Sequence, residues 1–283
     1  VMTGFDLVTI WAILLLLRRR RLPESWALIY AWNPLPVFEF SGSGHIDAAA
    51  ISLMMLACLF ADRRRPALAG AILGAATLVK YFPAVVLPAL YSRWDRRLPL
   101  AMLAAVVLLY IPYLSVGMGV LGFLPGYAHE EGLTHAGSGF FLLAALGQAV
   151  TLPPWASHAY LLAGLAALAI LGLAALLRPS KDGIALGSGL ALVLAFTLIL
   201  SPHLDWYFAW VLPFACLHPR ASLLYLAGAS PLLYGIVWPA DRLALEATIY
   251  LPFAILLLLE TLRHKPVPAM EAFNGNRLDA PAD

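Results

Sequence analysis

The chain has 283 residues, is 62% hydrophobic and only 12% charged, and carries a formal net charge of +2. Soluble domains carry about 25% charged residues, so a soluble enzyme or a nucleic-acid-binding module is excluded. Long apolar runs recur from end to end, as in membrane helices. The expected fold is all-α, a polytopic helical membrane protein.

In chain order the apolar runs are 5–17, 22–40, 46–61, 98–116, 156–177, 183–200, 206–217, 221–238 and 243–262. They predict about nine spans. The first run is short and starts close to Val1, so an N-terminal part is expected to be absent; no cleavable signal pattern is visible. Cys58 and Cys216 lie inside apolar runs and suggest neither a disulfide nor a metal site.

Basic residues punctuate the runs. Arg18 to Arg21, Arg63 to Arg65, Arg93, Arg96, Arg97, Arg178, Lys181, Arg220, Arg263, Lys265 and Arg277 fall between or after them, leaving out Lys80 and Arg242. The positive-inside rule puts these clusters in the cytoplasm. Residues 66–92 have basic clusters on both flanks, so one crossing would invert every later loop. A re-entrant helical hairpin resolves this: 67–79 rises, "KYFP" turns and 83–92 returns. Pro83 and Pro88 fit a broken element, which membranes tolerate where it lines a cavity. A 13-residue arm rises about 20 Å, which sets Lys80 deep and towards the outer side.

The opposite face then receives 41–45, 117–155, 201–206 and 239–242. It holds His45, His129, Glu130, Glu131, His135, His203, Asp205 and Asp241. The stretch 139–151 is expected to lie in the interface as an amphipathic helix. Residues 1–262 read as one membrane domain, and 263–283 as a disordered cytoplasmic tail.

Four stretches could carry chemistry. In "NPLPVFEFSGSGHIDAAA" (33–50) Asp47 opens a span. It could cap the helix, or with His45 it could bind a hydroxylated ligand or move a proton. Glu39 sits inside the preceding span, where a cap role does not apply. Lys80 is either a snorkelling lysine or, with Tyr81, a cation for a lipid-linked phosphate. In "SPHLDWYFAWVLPF" (201–214), His203, Asp205, Trp206 and Tyr207 form either an aromatic belt with a turn or a sugar-binding surface. In "YAHEEGLTH" (127–135), Glu130 and Glu131 with His129 and His135 form a solvated loop or hold a divalent cation. No other cofactor is suggested.

Together these stretches resemble the GT-C class of integral membrane glycosyltransferases, and most closely glycosyltransferase family 87. The carrying residues are "NPL" (33–35) with "GHID" (44–47), "AGAILGAATLVKYFPAVVLPAL" (69–90), "GFLPGYAHEEG" with "GSGFFLLAAL" (122–146), and "SPHLDWYFAWVLPF" (201–214). The resemblance implies a GT-C fold. It implies transfer of a sugar, usually mannose, from a polyprenyl-phosphate donor to a lipid or glycan acceptor on the non-cytoplasmic face of the inner membrane, with inversion. His45 and Asp47 fall on the family's G-H-x-D and Lys80 on its K-x-x-P. Asn33, Glu39, Tyr127, Glu130, His203, Asp205, Trp206 and Tyr207 are the expected substrate-binding set. The acidic first outer loop that usually supplies the base is not recognisable here, which fits an absent N-terminal part and an inactive chain when 1–283 stands alone. Two other functions fit the same polar pattern: a transporter or flippase of lipid-linked sugars, and a non-catalytic membrane subunit.

Overall fold

The computed structural model describes residues 1–92, 94–121, 126, 139–178, 184–202, 204–235 and 239–263. All regular elements among them are helical. The α-helices are α1 (Met2–Arg19), α2 (Leu28–Ala31), α3 (Pro34–Pro36), α4 (Asp47–Asp62), α5 (Pro66–Val79), α6 (Leu87–Leu90), α7 (Arg97–Tyr110), α8 (Phe141–Gly147), α9 (Ala156–Leu177), α10 (Leu186–Leu200), α11 (Leu212–Leu217), α12 (Ala221–Ala229) and α13 (Pro239–Arg263).

Three stretches are long and apolar enough to cross a bilayer unbroken: Arg97–Gly117, Ala156–Leu177 and Arg242–Arg263. A fourth arises if Pro34–Gly42 and Asp47–Asp62, bent by 118°, count as one. The nine expected runs are therefore not nine continuous helices. The run 22–40 breaks into a 3-10 turn (Glu24–Ala27), α2, α3 and a π turn (Val37–Gly42). Pro34 accounts for the break between α2 and α3: it lacks the N–H that a helix continuing from α2 needs, and Asn33 before it is extended. The run 206–217 likewise becomes a 3-10 turn (Asp205–Trp210) and α11, and 221–238 becomes α12 and a 3-10 turn (Ser230–Gly235). The expected interfacial helix 139–151 is helical only over α8.

Contacts fix which ends lie together. Arg19 and Arg20 reach Asp62, so α1 and α4 end side by side. Arg20 also donates to the Ile184 carbonyl, and Ala185 N–H to that of Ala89. The returning end of the 66–90 hairpin therefore shares one end of the molecule with 62 and 184. The hairpin is the element expected from the charge pattern.

A second observation agrees. A Cβ at Gly70 would lie 2.1 Å from the Leu98 carbonyl oxygen, and one at Gly74 would lie 2.7 Å from that of Met102. Both helices advance by four residues between these contacts, so α5 and α7 run in the same direction. Only glycine permits this backbone approach, the small-xxx-small packing of membrane helices. Gly70→Ala is expected to force the pair apart and destabilise the protein by about 1–3 kcal/mol. Gly4→Ala, with open space around it, is the control; thermal unfolding of both in detergent checks this.

The interior is built around residues 205–217. All of them except Trp206 are buried, and Trp210, Phe208 and Phe214 are among the largest fully buried side chains. An element apolar on every side has to sit inside the bundle. It packs against α1, α2, α10 and α12. By contrast, Leu100, Leu103, Val107 and Leu108 of α7 are exposed, as a lipid-facing helix requires.

Candidate active site

The end of the bundle opposite the Arg19–Asp62 contact gathers the polar groups. Asn33 starts the local geometry: its side chain accepts from Leu35 N–H at 3.0 Å and caps α3. The chain then enters the π turn, where Ser43 N–H donates to Phe38 and His45 N–H to Glu39. Such wide turns recur at functional sites. This one places Glu39 inside, fully buried, and His45 at the rim, with 30% side-chain exposure.

Asp47 is the first residue of α4 and makes no side-chain cap; Ile46 stands at the cap position. Its carboxylate oxygen Oδ1 instead accepts from Lys80 Nζ at 2.8 Å and from Trp210 Nε1 at 2.7 Å. The capping role is thereby replaced by a bridge joining three distant segments. Lys80 ends α5 in extended backbone, which turns its side chain inward. It does not snorkel. Its ammonium lies beside Asp47 and 4.1 Å above the Tyr207 ring centre, an ion pair combined with a cation–π contact. Phe82 stacks on Trp210 at 4.4 Å and holds that indole in place. Tyr81, next to Lys80, is exposed.

The second polar group surrounds His45. Its ring stacks on Trp206, with centres 4.0 Å apart and planes at 26°. Its Nε2 lies 3.3 Å from Glu39 Oε2. The Tyr234 hydroxyl donates to the other oxygen, Glu39 Oε1. Asp205 is buried and close enough to Glu39 for their charges to interact. Glu39 Oε2 and Asp205 Oδ2 have no hydrogen-bond partner among the described residues. Both are buried acceptors of the kind that need a hydrogen-bond donor.

The structure thus brings together His45, Asp47, Lys80, Glu39, Asp205, Trp206 and Tyr207. Asn33 serves its own turn, and Tyr127, Glu130 and His203 lie outside the described residues, as do His129, Glu131, His135 and the tail 264–283. Two members, Trp210 and Tyr234, were not in the expected set. Asp6 is a third polar group the expectations omitted. It is buried on α1, accepts from Tyr30 O–H at 2.7 Å and Ser41 Oγ at 3.3 Å, and ties α1 to the π turn. Among the described residues no three His, Cys, Asp or Glu side chains could together hold a metal ion.

Fold and site together define a helical membrane protein with a charged and aromatic centre at one end. The chain belongs to glycosyltransferase family 87, whose family model matches residues 1–202. No curated protein and no solved structure gives a significant match. The protein is accordingly a membrane glycosyltransferase, acting on a sugar donor and an acceptor. The match ends before Asp205, so Asp205, Trp206 and Tyr207 stand beyond the matched residues, and Trp210 and Tyr234 enter the site on geometry alone.

Proposed function

We propose that this protein transfers a sugar, most simply mannose, from a polyprenyl-phosphate carrier to a lipid or glycan acceptor at the non-cytoplasmic face of the inner membrane. The observation that carries the reading is Lys80, an inward-turned cation near the end of a short arm and held at a fixed point by Asp47 and Tyr207. An ammonium has three donors, so the pairing with Asp47 leaves capacity for an anion. The acceptor oxygen attacks the anomeric carbon as the bond to phosphate oxygen breaks, and polyprenyl phosphate leaves with the electron pair. Phosphate gains negative charge in this step. Lys80 therefore binds the transition state more strongly than the bound donor, which is the requirement for catalysis. Tyr81 flanks the phosphate. Glu39, Asp205, Trp206 and Tyr207 provide carboxylates and ring faces for the sugar, with Tyr127, Glu130 and His203 completing the set.

In this reading 1–262 is one membrane domain with nine crossings, several built from stacked short helices, plus the hairpin. The basic end faces the cytoplasm. The test of function is transfer from polyprenyl-phosphate-mannose to a membrane acceptor, run against a nucleotide-linked mannose. Transfer from the lipid donor alone, with anomeric inversion in the product, is expected; use of the nucleotide donor alone would overturn the reading. Orientation has its own test. Cysteine at position 95 should label only from the cytoplasmic side and cysteine at 42 only from outside. Labelling of position 95 from outside would remove the proposed sidedness.

A further inference from the structure

We infer that the chain holds an anionic phospholipid at its basic end, with the lipid phosphate among Arg63, Arg64, Arg65 and Arg96 and the acyl chains along the exposed face of α7. The inference stands apart from the transferase reading. All four arginines are exposed, and none makes an ion pair or a side-chain hydrogen bond among the described residues. Other arginines of this end are paired: Arg18 with Glu24, Arg19 and Arg20 with Asp62, and Arg97 with Asp95. The acidic side chains beside the cluster, Asp62 and Asp95, are therefore already taken.

Local folding puts three of the four together. The N–H groups of Arg63, Arg64 and Arg65 close onto the carbonyls of Leu59, Ala61 and Phe60, and Arg64 takes a left-handed backbone at φ 58°. The link from α4 to α5 is thus a tight turn carrying three successive arginines. Packing adds the fourth, because Gly70 of α5 meets the Leu98 backbone of α7. At 1.5 Å per residue, Arg65 lies about 7.5 Å along the axis from Gly70, and Arg96 lies about 3 Å from Leu98 in the same direction. Four like charges held at one corner repel one another, and a bound anion relieves this. The planar guanidinium fork fits two phosphate oxygens at once.

The surroundings make the anion a lipid. In α7 only Leu98 is buried, while Leu100, Leu103, Val107 and Leu108 are exposed. The stretch Arg97–Gly117 is long and apolar enough to cross a bilayer, so a wall for acyl chains starts about one turn from Arg96. Trp94 is 79% exposed, as indoles at the headgroup level are. Apolar wall, interfacial ring and unpaired guanidinium groups follow in the order of acyl chain, glycerol and phosphate. A soluble phosphate would use only the last of these. Net negative charge is required, since the ammonium of a phosphatidylcholine would be repelled by the same arginines.

The experiment titrates the full chain in detergent with phosphatidylglycerol or phosphatidylcholine and counts bound lipid by native mass spectrometry. Phosphatidylglycerol should bind the more tightly, and its affinity should fall about fivefold for each arginine removed. Glutamine at 63, 64, 65 and 96 together should weaken it by at least about 10²-fold. Removing the same charge elsewhere, with glutamine at Arg21, Arg178, Arg220 and Arg263, should leave most of the binding. Equal affinity for the two lipids overturns the inference. So does undiminished phosphatidylglycerol binding by the first quadruple variant, or an equal loss in the second. Inorganic phosphate that displaces phosphatidylglycerol at equal concentration would show a site for a free anion and overturn the lipid assignment. If the first quadruple variant does not fold, Arg96→Gln alone decides, and an unchanged affinity overturns it.

Discussion

Lys80→Met is expected to remove donor use almost completely, with kcat/KM for the lipid-phosphate sugar falling by at least about 10²–10³-fold. Methionine keeps the length and apolar stem but deletes the charge. The same change should destabilise the fold. Asp47 is 2% exposed and, among the described residues, would keep only the Trp210 indole as a partner. Breaking a buried pair from one side costs about 3–5 kcal/mol. Lys80 itself retains 16% exposure, which places the expected loss at the lower end of that range. Adding Asp47→Asn separates the two effects. The asparagine carbonyl can still accept from Trp210 without carrying a charge. The double variant should therefore regain much of the lost thermal stability and none of the donor use. A double variant that regains both would make Lys80 a structural partner of Asp47 and no phosphate ligand.

The parts of this site differed in how far they could be read from sequence. His45, Asp47 and Lys80 stood out because ionisable groups at membrane depth are expensive and are kept for a reason. Their pairing was hidden: Asp47 and Lys80 are 33 positions apart, and Asp47 and Trp210 are 163 apart. Trp210 reads from sequence as one more ring of an aromatic belt; only the fold turns its N–H onto a carboxylate. Tyr234 gives no local signal and reaches Glu39 across 195 positions. Asp6 could have been found by the same rule that found Glu39, since it is an acidic residue in an apolar run. The hairpin was legible from charge placement alone. The glycines that seat it against α7 went unread, although Gly70 and Gly74 have the spacing of a close helix contact. The prolines at 34 and 36 mark 22–40 as an interrupted span with an irregular upper half; what charge and periodicity could not show was the π turn that follows them. Those breaks are what bring Glu39 and His45 face to face.

Asp62→Ala should cause a large loss of stability without a matching loss of catalysis. Asp62 closes α4 as Asp47 opens it, about 22 Å away along the fifteen 1.5 Å rises of this 16-residue helix. Its carboxylate accepts from Arg19 Nε and from Arg20 Nη2, both at 2.6 Å. Arg20 also reaches the Ile184 carbonyl, so one acidic side chain fastens α1, α4 and the start of α10. Removing it leaves two guanidinium groups side by side. They are 42% and 26% exposed and can turn towards water, so the loss falls between the exposed and buried limits for ion pairs, about 2 kcal/mol. The measurement pairs thermal unfolding in detergent with kcat/KM well below the unfolding temperature. Stability should fall while the kinetic constants stay near those of the wild type. The two ends of α4 then have separate duties, a charged site at one and an anchor at the other. If Asp62→Ala lowers kcat as far as Lys80→Met does, the position of Lys80 depends on the anchor, and the site is not confined to the end where its side chains meet.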